Sequence, residues 1–300
     1  MDYDLIIIGA GPAGITAGIY AARLKLNFMV IAKEIGGQVA VSSIVENYTG
    51  YQFMTGQELS DKFMDHINEF KFDFKQAEVQ SIKKDDKTFT VSTISEFFTS
   101  KTVIVATGAH PRSLDIPGEK EFTGKGVTYC ATCDAPLYKE KVVTVVGGGN
   151  TGLESALQLT NIAKKIYLIH RGDELSGDQI LVDKVIKLKN VEILPNTSIK
   201  EIVGGSSVEK IKIETKGKED SLDVQGVFIN IGYIPNSDVA KNVLPLNKYG
   251  EIEVDYCCLT DSDGIFAAGD CTNVPFKQIV VATGEGCKAA LSVNNYLNNN

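Results

Sequence analysis

Leu5-Ile6-Ile7-Ile8-Gly9-Ala10-Gly11-Pro12-Ala13-Gly14-Ile15-Thr16-Ala17-Gly18 is the stretch that decides the fold. Leu5 to Ile8 form a short, fully apolar run of the kind that suits a central parallel strand. Gly9 to Gly14 fit G-x-G-x-x-G, and small residues continue as a helix through Ala22. In that setting the first glycine permits the tight turn and the second lets backbone approach a pyrophosphate. The third lets helix and strand pack closely, with the helix N-terminus facing the phosphate. The stretch predicts a dinucleotide-binding unit. Leu5 to Ala22 is also an uncharged run of eighteen, near the length of a membrane span. Pro12, four glycines and the preceding Asp2 and Asp4 favour strand, turn and helix over an anchor.

The unit recurs. Val142 to Val146 form another buried strand, followed by Gly147-Gly148-Gly149-Asn150-Thr151-Gly152, a helix with Glu154, Leu157 and Leu159, and the strand Ile166 to Ile169. Gly9 to Ala32 and Gly147 to His170 are both separations of 23, an internal repeat of 138 residues. Two dinucleotide units imply two domains that can meet, which suits 300 residues. Between them stands Cys130-Ala131-Thr132-Cys133-Asp134. Thiols at this spacing can close and reopen a small disulfide, the thiolate being favoured by its neighbour and local dipoles. The same spacing supplies half of many zinc sites, or two packed thiols. The sequence has no second Cys-x-x-Cys, and His66, His110 and His170 are scattered, so no metal site is expected. A redox disulfide beside nucleotide units fits better.

The bulk numbers exclude other classes. An apolar fraction of 43% and a charged fraction of 23% describe an ordinary soluble globular chain. A net charge of −8 argues against nucleic acid or an anionic membrane as the main partner. Six cysteines without a secretion signal point to a reducing, cytoplasmic home.

The remaining segments fall around these units. Phe28 to Ile31 predict the second strand, and Glu34 just beyond it is a candidate for the ribose. Gly36-Gly37-Gln38 and Glu46-Asn47-Tyr48 are polar segments where a cofactor would lie. Residues 56–74 predict an amphipathic helix, His66 included, followed by a small antiparallel piece around Val79–Ile82 and Phe89–Val91. Lys101 to Val105 predict a strand ending in Ala106-Thr107-Gly108-Ala109, a backbone turn able to pass a ligand. Pro111 and Pro117-Gly118 mark one domain crossing, and Ile231 to Asn236 a second. Hairpin-like strands are expected from 191 to 230. Asp270, directly after a strand and Gly269, is placed to hold a sugar hydroxyl. A last helix is expected from Thr283 to Leu297, with a frayed tail at Asn298-Asn299-Asn300. Cys271 and Cys287 read as packed thiols, and adjacent Cys257-Cys258 as a weak alternative redox pair.

Together these residues resemble the low-molecular-weight thioredoxin reductases over nearly the whole chain. The matching set runs Gly9 to Gly14, Gly37-Gln38, Glu46-Asn47, Ala106-Thr107-Gly108, Cys130 to Asp134, Gly147 to Glu154, Gly269-Asp270 and Lys277-Gln278. The resemblance implies an α/β chain of two Rossmann-like dinucleotide-binding domains, one inserted in the other. Residues 1–113 and 243–300 would form an FAD-binding domain, and 114–242 a pyridine-nucleotide-type domain carrying the cysteine pair. Gly9, Gly11, Pro12, Ala13 and Gly14 would hold the FAD pyrophosphate and Asp270 the ribityl chain. Asn47 and Gln278 would lie near the isoalloxazine. Glu34, Gly37, Gln38, Ala106, Thr107, Gly108, Gly269, Lys277 and Ile279 would complete the cofactor contacts. Cys133 would face the flavin, Cys130 would attack thioredoxin and Asp134 would handle the proton. A homodimer is implied as well.

One segment departs from the family. Members that use NADPH carry His-Arg-Arg-x-x-x-Arg after the second unit's strand, the arginines gripping the 2′-phosphate. Here the residues are His170-Arg171-Gly172-Asp173-Glu174-Leu175-Ser176. Two charge-assisted partners are lost and like charges added, each lost bond costing about 1.5–3 kcal/mol. NADPH is therefore expected to bind poorly. Reduced ferredoxin is the favoured donor, NADH the next, with Asp173 or Glu174 on the ribose, and NADPH through a rearranged site the third. A flavin-dependent dithiol oxidase and a flavin-bound redox sensor share the same residues.

Overall fold

The computed structural model describes residues 2–40, 45, 47–51 and 54–299; Glu46, part of the matching set, lies outside them. The chain divides into two compact units, Met1–His110 with Ile234–Asn300, and Pro111–Tyr233.

The first unit opens on β1 (Asp2–Ala10) and α1 (Pro12–Arg23), followed by β2 (Phe28–Ile35), parallel to β1 with Leu5 opposite Phe28. Ile6 and Ile8 pack on one side of the sheet and Leu5 and Ile7 on the other, all nearly inaccessible. Burial on both faces is why the run is continuously apolar. The eighteen uncharged residues resolve into a strand, a turn and a helix. No helix among the described residues is long and apolar enough to cross a membrane.

α2 (Gly56–Asn68) starts in a capping box: Thr55 Oγ1 accepts the Glu58 N–H, and the Glu58 carboxylate accepts the Thr55 N–H at 2.8 Å. The helix expected over 56–74 stops at Asn68, and β3 (Asp73–Gln76) runs parallel to β2. Phe72 stacks on Phe28 with centroids 5.8 Å apart, and Phe74 meets Phe72 edge-on at 6.4 Å. Packing against the sheet outcompetes another helical turn. β4 (Val79–Asp85) and β5 (Thr88–Thr93) form the expected antiparallel piece, and β6 (Phe97–Val105) returns parallel to β1. β7 (Ala109–Pro111) carries the chain out of the unit.

The second unit repeats the plan. β8 (Val127–Thr128) precedes the single turn α3 (Ala131–Asp134), then β9 (Val142–Val146), α4 (Asn150–Leu159) and β10 (Lys165–Ile169). α5 (Gln179–Val185) and β11 (Val191–Leu194) follow. β12 (Thr197–Gly204), β13 (Val208–Thr215) and β14 (Lys218–Asp223) form an antiparallel meander, and β15 (Gly226–Ile229) closes the unit. Only 197–223 of the hairpin stretch expected from 191 to 230 is antiparallel. β11 and β15 belong to a parallel sheet of order β11-β10-β9-β15-β8. All four residues of β15 are buried, as a central parallel strand requires. β9 lies between β10 and β15 as β1 lies between β2 and β6.

β16 (Tyr233–Pro235) pairs with β7, so the two crossing segments form one ribbon. β17 (Ile265–Ala267) then joins β6. α6 (Ile279–Asn299) starts at Ile279 rather than Thr283 and runs on through Asn298 and Asn299, where the expected frayed tail is helical; Asn300 lies outside the described residues. It packs against α1 so closely that a β-carbon on Gly286 would sit 2.0 Å from Ala13 O, whereas one on Gly284 would meet nothing within 4 Å.

That contrast sets a test. Gly286→Ala forces backbone apart and is expected to cost about 1–3 kcal/mol. Gly284→Ala should stabilise by up to about 1 kcal/mol through helix propensity. Thermal unfolding of the two variants checks the pair.

Candidate active site

The first glycine turn divides its tasks. Gly9, at φ +114°, has Ala106 O where a β-carbon would stand 2.3 Å away, and a β-carbon on Gly14 would lie 1.9 Å from Gly9 O. These two glycines let α1 press its first turn onto β1 and β6. Gly11 has nothing within 4 Å of its β-carbon position. It is the N-cap of α1, with no side-chain cap and no acid in the first turn. Among the described residues no side chain caps the first turn, whereas α2 starts in a capping box. An open, donor-rich helix start fits a pyrophosphate, so the residues present fit a dinucleotide cofactor.

Other expected contacts gather in the same unit. Gly37, at φ +56°, starts a short 3-10 turn beside Gly11, and Gln38 Nε2 donates to Ala109 O. Asn47 Nδ2 donates to Gln278 Oε1 at 3.2 Å. Ala106 is buried, and Thr107 and Gly108 are tied to Asn236. Thr107 Oγ1 donates to Asn236 O (2.6 Å), Asn236 Nδ2 to Thr107 O (2.9 Å), and Asn236 N to Gly108 O (2.9 Å). Ile279 packs on Val39 and Leu59. Glu34 is exposed at the end of β2. Lys277 is engaged by Glu251 Oε1 (3.2 Å) and Thr272 O. Gly269, at φ +78°, turns the chain tightly against Ala13. Next to it, burial pushes the Asp270 carboxyl above its usual range, and Lys277 pulls the other way.

The second turn copies the backbone geometry. Gly147, at φ +137°, faces Asn230 O at 2.2 Å, and Gly152 faces Gly147 O at 2.1 Å by the same measure. α4 starts at the N-cap Gly149 with no side-chain cap and no acid in its first turn. The loop after β10 is well tethered. Ser176 N donates to Gly148 O (2.8 Å), Asp178 N to Asn150 Oδ1 (2.6 Å) and Asn150 Nδ2 to Asp178 Oδ2 (3.1 Å). Asp173 accepts from Asn196 at 2.9 Å. His170 is buried, which lowers its pKa and keeps the ring neutral. Arg171, Gly172, Asp173, Glu174 and Ser176 are exposed. The loop is thus held by backbone and side-chain hydrogen bonds and presents one arginine and two acids on its exposed positions 171–174.

Cys130 and Cys133 form a disulfide, with Cys130 Sγ accepting the Cys133 N–H at 3.2 Å. Both sulfurs belong to half-buried residues. Tyr129, immediately before the pair, is clamped at both ends. Its hydroxyl donates to Glu119 Oε1 (2.9 Å), and its carbonyl accepts from Tyr233 Oη (3.0 Å) and Asn230 Nδ2 (3.4 Å). Glu119, 2% exposed, also accepts the Leu114 and Asp115 N–H groups. Desolvation first, and that carboxylate second, hold the Tyr129 phenol protonated. On the other side Thr128 Oγ1 donates to Asp134 Oδ2. The other four cysteines are free thiols. Cys258 and Cys271 are buried, which raises both pKa values and makes them poor nucleophiles, while Cys257 and Cys287 are half-buried.

Glu119, Thr128, Tyr129 and Asn236 escaped the sequence reading. The signal was faint: a lone Glu after Pro117-Gly118, the two residues before Cys130, and an Asn in a crossing segment.

Burial of Asp270 gives a test with a sign. A carboxyl whose folded pKa is raised holds its proton more tightly when folded, so its contribution to stability is present at low pH and lost as pH rises through that pKa. Asp270→Asn should raise the melting temperature of the cofactor-free protein at pH 7.5, and the gain should vanish near pH 4.

The chain is similar to known proteins. The profile of the pyridine nucleotide-disulphide oxidoreductase family matches residues 3–286. The F subunit of alkyl hydroperoxide reductase from Escherichia coli is 39% identical over 98% of this chain and 58% of its own length. NADH dehydrogenase of Bacillus subtilis is 37% identical over 98% and 58%. The chain thus spans 58% of each of these curated relatives. Thioredoxin reductase from Streptococcus pyogenes superposes with a TM-score of 0.94 at 36% identity, covering 99% of both chains. A ferredoxin-flavin thioredoxin reductase from Clostridium acetobutylicum gives 0.55 at 34% identity, over 100% of this chain and 99% of that one.

Proposed function

The chain belongs to the pyridine nucleotide-disulphide oxidoreductase family, and on that premise we propose that it is an FAD-dependent disulfide reductase of the thioredoxin reductase type, acting as a homodimer. The observation that carries this is the Cys130–Cys133 disulfide beside Asp134, in a chain with two glycine-turn units. Bound FAD supplies two-electron transfer between a donor and that disulfide. The first unit would hold it: the α1 N-terminus at the pyrophosphate, Asp270 on sugar hydroxyls, and the Asn47–Gln278 pair near the ring. Hydroxyl donors would also relieve the desolvated Asp270 carboxylate, so Asp270→Asn should release FAD more readily while it stabilises the cofactor-free protein.

The chain's own thiols then act in sequence. Once the disulfide is reduced, Cys130 attacks the disulfide of thioredoxin, and Cys133 resolves the mixed disulfide by attacking Cys130. Asp134 carries protons between the thiols and the leaving thiolates. Cys133 is the sulfur assigned to the flavin side. Thioredoxin as acceptor is supported by the thioredoxin reductase likeness of the fold.

Reduced ferredoxin is the proposed donor. A tethered loop with Gly172 and Ser176 in place of two arginines, and with Asp173 and Glu174 exposed, disfavours a 2′-phosphate. The likeness to a ferredoxin-flavin enzyme adds support. NADH is the second reading, favoured by the intact glycine turn at Gly147 to Gly152, by acids able to hold ribose hydroxyls, and by the relative named NADH dehydrogenase.

One anaerobic experiment tests the proposal. Oxidised, FAD-loaded protein is mixed separately with reduced ferredoxin, NADH and NADPH, and flavin bleaching is followed. Ferredoxin should bleach fast and NADPH hardly at micromolar concentration. Fast stoichiometric reduction by NADPH would overturn the donor assignment, and reduction by NADH alone would establish the second reading. A protein that cannot retain FAD would refute the whole proposal. Gly172→Arg with Ser176→Arg should improve NADPH binding, since a β-carbon at 172 meets nothing closer than Glu174 O at 3.3 Å.

A further inference from the structure

A hydroxyl on the sheet side of the redox pair has no role in the scheme above. Thr128 ends β8, stands opposite Phe228 of β15 and is 6% exposed. Its Oγ1 accepts the Cys130 N–H at 3.2 Å and donates to Asp134 Oδ2. A threonine hydroxyl has a single proton to give. Here an amide N–H occupies one lone pair of Oγ1, and the proton is directed at the carboxyl. Oδ2 is thereby kept as an acceptor, and a proton held by Asp134 sits on Oδ1. The same hydroxyl ties that orientation to the backbone of Cys130, whose sulfur in turn accepts the Cys133 N–H.

We propose that Thr128 is a positioning residue for thiol–disulfide exchange, fixing which oxygen of Asp134 carries the proton and favouring its carboxylate form. The inference rests on the reading of Asp134 as the proton carrier. In the exchange, Asp134 takes the Cys130 proton, the Cys130 thiolate bonds to one sulfur of the partner disulfide, and the other sulfur leaves as a thiolate and takes that proton from Asp134. Cys133 gives up its proton and attacks Cys130 Sγ. The mixed disulfide breaks, and the second partner sulfur leaves and is protonated. Two electrons and two protons pass to the partner, and Asp134 ends as it began. A carboxyl that must accept and return protons works only if its orientation and affinity are fixed. Thr128 is built to set both.

Other titratable groups stand on the elements packed around this turn. Tyr138, in the following 3-10 turn, is held protonated up to about 12, by burial first and Asp134 second. Glu154 on α4 is exposed, and Thr132 of α3 donates to Gln158 of that helix.

The test reads the pair directly. The FAD-loaded protein is reduced with dithiothreitol, and alkylation of Cys130 and Cys133 by iodoacetamide is followed by peptide mass mapping from pH 4 to 9, where a low inflection reads Asp134. A donor to the charged form lowers a carboxyl pKa, so removing it must raise the inflection. Thr128→Val, which keeps shape and β-branching, should move it upward by about one pH unit. Thr128→Ala should do the same if the valine variant folds poorly, and Thr128→Ser should restore the original value. In an Asp134→Asn background the valine substitution should shift nothing. An unmoved inflection in the Val and Ala variants, or a shift that persists in the Asp134→Asn background, would overturn the proposal. The underlying reading fails separately: if Asp134→Asn alone changes neither the inflection nor turnover with a disulfide substrate, Asp134 is not the proton carrier.

Discussion

Two carbonyl oxygens set the geometry on which both units depend. Gly9 O lies 1.9 Å from the point a β-carbon of Gly14 would take, and Gly147 O lies 2.1 Å from the matching point at Gly152. Only glycine lets the first turn of a helix come so near the strand that precedes it. The approach drives the helix start against the sheet and leaves its first N–H groups turned outward. Among the described residues no side chain caps either helix at its N-cap glycine.

The two units then diverge by charge rather than by backbone. In the first, burial raises the pKa of the Asp270 carboxyl beside Gly269, the group proposed to meet a sugar hydroxyl. In the second, the loop after β10 keeps its tethers to Gly148 and Asn150 yet presents glycine, serine and acids. A fold conserves its hydrogen-bonded frame more easily than its ligand chemistry, because exposed side chains change at little cost to stability.

What sequence revealed and what it hid divide along the same line. The glycine turns, both central strands and the cysteine pair were legible, because each rests on local spacing and on residue types with few alternative uses. The end of α2 was not, since Phe72 and Phe74 fit a helical face as well as a strand and only stacking on Phe28 decides between them. β11 and β15 read as hairpin strands in the sequence because their neighbours in the parallel sheet lie far away along the chain. Asn236, Glu119 and Thr128 were invisible for a related reason. Their importance lies in the backbone groups they meet, Thr107 and Gly108, Leu114 and Asp115, and Cys130, and no residue pattern announces a partner of that kind.

On the proposed function, Cys130 and Cys133 exchange electrons with a partner disulfide, Cys130 attacking and Cys133 resolving. Mixing Cys133→Ser protein with oxidised thioredoxin tests it most directly, followed by non-reducing electrophoresis and peptide mapping. A stable mixed disulfide through Cys130 should accumulate, because no second thiol is placed to resolve it. An adduct through another cysteine, or a variant that turns over like the unaltered protein, would contradict the account.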